Sequence, residues 1–172
     1  MRILTFLLLL ALAGSAPARA NLVDQAAADL KVQRVDEALA FLNQAIAANP
    51  SDPRAYAYRA YALSCMGNWD QAVADCHQAL DLNPRFAQAY CIMGNANWMK
   101  GRLEDAGDDF NEAISLAPGD PDNWFSRGVF YAKKDRERSI ADLSQALRLS
   151  PTFEKALYQR GTTYMDGGQF DL

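Results

Sequence analysis

Four prolines constrain this chain more than any other feature. Pro50, Pro84, Pro118 and Pro151 stand 34, 34 and 33 residues apart. Proline cannot continue a helix and restrains the residue before it, so each one closes a helical unit. Upstream of the prolines small residues return in phase: Ala38, Ala72, Ala106 and Ser139, then Ala45, Ala79, Ala113 and Ala146. The first half of each unit holds another small set, Ala26, Ala60, Gly94, Gly128 and Gly161. Large residues keep fixed places as well: Tyr56, Tyr90, Trp124 and Leu157 in one, and Leu42, Cys76, Phe110 and Leu143 in the other. A period of this length marks an architecture whose single unit cannot bury its apolar face alone, so that units stack.

Each unit contains two helical patterns. In the second, Asp52 is placed to cap a helix that begins at Pro53, a residue suited to the first helical turn. Tyr56, Ala60 and Leu63 then share one face, and Gly67 stops the helix near Met66, as Gly101 stops its counterpart. A second helix runs from Trp69 to Leu82 with Ala72, Val73, Cys76, Ala79 and Leu80 as its apolar stripe, and Asn83-Pro84 ends it. No stretch sustains the alternation of a strand. The small residues let paired helices approach at the tight end of the usual ~8–10 Å range, with Ala60 expected to face Ala72 and Gly94 to face Ala106.

The 34-residue period, the helix–turn–helix unit and the order Tyr/Trp, Gly, Tyr, Ala, Phe, Ala, Pro resemble the tetratricopeptide repeat. Tyr90, Gly94, Gly101, Ala106, Phe110, Ala113 and Pro118 carry the resemblance in one unit, and Trp124, Gly128, Tyr131, Leu143, Ala146 and Pro151 in the next. It implies an all-α fold, a right-handed superhelical α-solenoid of stacked antiparallel helix pairs. The units are a degenerate first repeat over residues 21–52, repeats over 53–86, 87–120 and 121–153, and an incomplete repeat over 154–172 holding a first helix only. Unit one carries a polar Asp29 where units four and five have Tyr131 and Tyr164. Unit four lacks one residue near Lys134, where the turn glycine belongs, and a tighter turn is expected there, with Lys133-Lys134-Asp135-Arg136 on the surface.

The resemblance also implies that first helices line a concave, ligand-binding face. Mapped onto this sequence, the partner-binding groove is expected to include Arg54, Tyr58, Tyr61, Gln88, Asn95, Trp98, Met99, Phe125, Lys155 and Tyr158, with Ala57, Cys65, Cys91, Ile92, Ser126, Val129, Lys133 and Gln159 among their neighbours. Aromatic residues and methionine provide large contact area at such surfaces, which suits a segment or helix of another protein. A family clamp for C-terminal carboxylates uses Lys and Asn on successive first helices. Asn95 and Lys155 match two of its positions, but Cys91, Ser126 and Gln159 occupy others, and two matches do not assemble a multi-donor site.

Residues 1–20 read as a cleavable signal peptide: Arg2, an apolar stretch from Ile3 to Ala13 well short of the ~20 residues that span a bilayer, a break at Gly14-Ser15-Ala16-Pro17, and Ala18-Arg19-Ala20 as the cleavage site. This implies export, to the periplasm in a bacterium and by secretion elsewhere, with no membrane span after cleavage. The formal charge of −4, which becomes −6 without Arg2 and Arg19, gives no basis for binding nucleic acid. Three cysteines, Cys65, Cys76 and Cys91, leave an odd thiol in an oxidising compartment and lack metal-ligand spacing; they read as small buried apolar residues. His77, the one histidine, reads as a surface residue. Asp108-Asp109 and Asp120/Asp122 read as solvated faces and caps. Arg59, Arg127 and Arg160 recur at one position and Asp75, Asp109 and Asp142 at another, which suggests structural ion pairs within a unit (Arg59 with Asp75) or between neighbours (Arg127 with Asp109, Arg160 with Asp142). The expected function is a non-enzymatic protein–protein interaction scaffold without cofactor or metal. The alternative is a structural subunit that self-associates through the apolar face of its last helix (Leu157, Gly161, Tyr164), the chain then being a piece of a longer one or one half of an end-to-end dimer.

Overall fold

The computed structural model describes the backbone of residues 16–165 and the side chains of residues 22–165. Those residues form helices and turns only: α1 (Ala16–Lys31), α2 (Val35–Ala48), α3 (Pro53–Cys65), α4 (Trp69–Leu82), α5 (Ala87–Met99), α6 (Leu103–Leu116), α7 (Pro121–Tyr131), α8 (Arg136–Leu149) and α9 (Glu154–Met165). They make an α-solenoid in which each helix packs on the one before it and the one after. The signal-peptide segment up to residue 15 lies outside the described residues. Ala16 and Pro17 do not break a helix but open α1, a first-turn position that proline tolerates. The expected cleavage point after Ala20 therefore falls inside α1.

Local chemistry sets the helix ends. Asp52 accepts a hydrogen bond from the Arg54 amide at 3.0 Å, and Asp120 does the same for Asp122 at 3.0 Å, each ahead of a proline in the first turn. Gly67 and Gly101 adopt φ of +78° and +77°. There the following amides turn back onto carbonyls of the preceding helix, Asn68 to Leu63 at 2.9 Å and Arg102 to Asn97 at 2.9 Å. Gln33 holds the same left-handed place between α1 and α2 at φ 64° without glycine's freedom.

Unit four departs from the expectation drawn from its missing residue. Its turn is not tighter. Ala132–Asp135 spans four residues where the other turns span three, and α7 has 11 residues where α3 and α5 have 13. Without a glycine to take the left-handed position, Ala132 stays at φ −51°. The chain leaves the helix early, and the Lys134 and Asp135 amides both bond to the Tyr131 carbonyl at 2.8 Å.

The buried clusters show why the units stack. One draws on Ala57 and Ala60 of α3, Ala72, Cys76 and Ala79 of α4, and Ala89, Ile92, Met93 and Ala96 of α5. Others join α5, α6 and α7 around Phe110 and Phe130, or α8 and α9 with Trp124 and Phe125 of α7 around Leu143. Each is shared by three consecutive helices, so no pair is complete alone. Gly94 does not mark its contact with Ala106. A Cβ there would lie 2.9 Å from Phe110 Cε1 and 3.2 Å from Asp109 Cβ. Gly128 stands in the same relation to Leu143, at 2.9 Å from Cγ.

Two of the three recurring arginines pair within their units. Arg59 donates to both Asp75 oxygens at 2.7 and 2.8 Å and to Asn43 at 2.9 Å, tying α3 to α4 and to the preceding α2. Arg127 repeats the pattern with Asp142 at 2.8 and 2.9 Å and with Asn111 at 2.7 Å. The between-unit pairing of Arg127 with Asp109 does not form, and Arg160 donates to Ser144 at 3.2 Å in place of Asp142. Met93 stands where unit three would need its arginine, so Asp109 receives only the Asn97 amide at 2.8 Å. Burial pushes its pKa up to about 6. Asp109 is thus half-buried, not the solvated residue expected from sequence. Asp29 is also buried, and it pairs with Arg34 at 3.0 Å.

Candidate functional site

The first helices α3, α5, α7 and α9 carry the residues expected to line the groove. Tyr61 is 41% exposed, Met99 57% and Tyr158 75%. Gln88 and Lys155 are exposed too. Arg54 is exposed but engaged: it holds Asp52 at 3.0 Å and reaches Asp24 at 3.5 Å, and the bond to Asp52 raises its already high pKa.

Three of the expected aromatics belong as much to the core as to the surface. Tyr58 is half-buried in the packing of α1, α2 and α3. Trp98 stands edge-on to Phe130 at 5.8 Å, and Phe125 lies 5.1 Å from Phe153. Ala57, Cys91 and Ile92 are buried and do not face a groove. Side chains short enough to fit between stacked helices are drawn inward at these positions. Asn95 turns its amide back onto the Cys91 carbonyl at 3.0 Å, and the Cys91 thiol donates to Ser126 at 3.3 Å. Of the two clamp matches, Asn95 is therefore engaged within the stack, whereas Lys155 is exposed.

Chemistry of a catalytic kind finds little footing among the described residues. No group of three or more His, Cys, Asp or Glu side chains is gathered closely enough to hold a metal ion. Cys76 and Cys91 are buried as expected, whereas Cys65, near the end of α3, is exposed; desolvation pushes Cys91 up to about 11, and Cys65 and Cys76 upward as well, so none is a ready thiolate nucleophile. His77 is exposed on α4.

The described residues also form a concavity. A cleft of about 420 Å³ opens between α5, the end of α7 and α9, lined by Trp98, Val129, Phe130, Ala132, Lys133, Lys134 and Gln159. It lies against the shortened end of α7. Its signal in the sequence was the residue missing from unit four, but its position needed the fold. Sequence reading also missed Asn123, buried on α7, whose amide donates to the Ala113 and Ala117 carbonyls at 3.1 and 3.3 Å and pins α7 to the end of α6. The visible sign was an asparagine in a column that holds Ala55, Ala89 and Ala156, with Asn21 at the same place in unit one.

Family models described as tetratricopeptide repeat match residues 66–121 and residues 41–74. Comparison with curated proteins gives no match. Among solved structures, the chain is similar to a thermophilic TPR protein of Thermus thermophilus, with a TM-score of 0.81 and 24% identity over 88% of this chain and 84% of that one. It is also similar to PilF of Pseudomonas aeruginosa, with a TM-score of 0.74 and 18% identity over 89% and 70%. A third is YrrB, a TPR protein with an unusual peptide-binding site, with a TM-score of 0.58 and 18% identity over 87% and 78%.

Proposed function

Because the chain is a tetratricopeptide-repeat protein, we propose that it is a non-enzymatic scaffold of the cell envelope that holds a segment or helix of a partner protein along its first helices. The observation that carries this reading is the set of first helices α3, α5, α7 and α9, which expose Tyr61, Met99 and Tyr158 and hold the cleft lined by Trp98. Exposed aromatics beside a cleft give large contact area with few rotamers to freeze. The peptide-binding site of the similar protein YrrB supports the same use of this fold. Export rests on residues 1–20, and the intact mass of the protein recovered from its host reads the cleavage: a chain beginning at Asn21 supports export, an uncut one opposes it.

The groove is tested by affinity capture from an envelope fraction with the mature chain and with Tyr61→Ala/Trp98→Ala. Loss of the captured partner from the double variant, at unchanged helical content, supports the reading. Equal recovery from both opposes it.

A further inference from the structure

We propose that the cleft at the end of α7 seats one apolar side chain of a partner segment whose neighbouring residues are acidic. The inference rests on the groove reading and specifies the chemistry of its occupant. The cleft sits beside the one place in units two to four where the repeat loses its register. Its walls are Trp98, Val129, Phe130 and Ala132, and its volume of about 420 Å³ falls in the ~300–1,000 Å³ span of small-ligand pockets. That leaves room for a leucine or phenylalanine side chain.

The rim decides the charge. Lys133, Lys134 and Arg136 fall within four consecutive residues, and the acid among them is already engaged. Asp135 accepts from the Arg138 amide at 3.0 Å and pairs with the Arg138 guanidinium at 3.1 Å. Lys133 and Lys134 are exposed and make no ion pair among the described residues. The Lys134 ammonium lies over the Phe130 ring, 4.4 Å from its centroid, at the edge of the cleft. The chain as a whole carries a formal charge of −4. An acidic segment is repelled by most of this surface and drawn to the turn, which fixes both where it binds and in which register.

A random peptide library with blocked termini, displayed and selected against the mature chain, tests the inference without assuming a ligand. The expected winners carry Leu, Ile or Phe flanked by Asp or Glu. A fluorescent copy of the leading peptide should bind Lys133→Glu/Lys134→Glu on the order of tenfold more weakly at low salt, and that difference should shrink as salt screens the pair. Both lysines are exposed, and an unchanged thermal transition of the double variant confirms that it folds. Neutral or basic winners, or acidic winners that bind the variant equally well, overturn the inference while leaving the groove in place. Failure to select any peptide counts against both.

Discussion

Gly94 and Gly161 occupy the same place in the repeat and answer to opposite physics. A methyl at Gly94 meets Phe110 at 2.9 Å, whereas a methyl at Gly161 has nothing within 4 Å among the described residues. Overpacking costs ~1–3 kcal/mol, while alanine in a helix gains ~1 kcal/mol over glycine. Gly161→Ala should therefore raise the melting temperature and Gly94→Ala lower it, as read by circular dichroism on both variants. Asp109 gives a second test at this scale. Its pKa is raised in the folded state to about 6, chiefly by burial. Its contribution to stability is then fully present below the ordinary carboxylate pKa of ~3.9 and lost as pH rises through 6. Asp109→Asn should melt higher than the parent at pH 7.5, with the advantage vanishing by about pH 4. A pH-independent difference would assign the effect to packing and not to charge.

At the scale of elements, the arginine ladder holds one helix pair to the next. Arg127 reaches α6 through Asn111 and α8 through Asp142, which is 5% exposed. Removing one partner of a buried pair costs ~3–5 kcal/mol, and removing both costs much less. With Arg127 itself partly exposed, Arg127→Met should cost about 2–3 kcal/mol and Arg127→Met/Asp142→Leu should recover most of that, measured by urea unfolding. Unit three already carries methionine at this position, as Met93. The recurrence of Arg and Asp was legible in the sequence. Which Asp each Arg meets was not, because helix packing and not residue spacing selects the partner. The turns divide the same way. Gly67 and Gly101 announced where α3 and α5 stop through their conformational freedom. The missing residue of unit four predicted a tighter turn, whereas the chain shortens α7 and lengthens the turn. Losing the left-handed residue ends the helix earlier; it does not compress the connection.

Across the whole molecule, the 34-residue spacing of prolines and small residues determined the helix pairs and the stacked all-α fold by itself. Those signals are local, since proline stops a helix that runs into it and only small residues permit close helix contact. The exposed part of the candidate groove was partly readable through the family resemblance, which maps a groove face onto the helical periodicity at Tyr61, Met99 and Tyr158. Tyr58, Trp98 and Phe125 share that periodicity, yet each also packs against a neighbouring element. Only the tertiary structure decided how far each aromatic turns inward. It also decided that Asp109 lacks an arginine, and that a cleft opens where α7 stops at Tyr131. All three depend on which side chains three successive helices bring together, and that is a property of the stack, not of any single repeat.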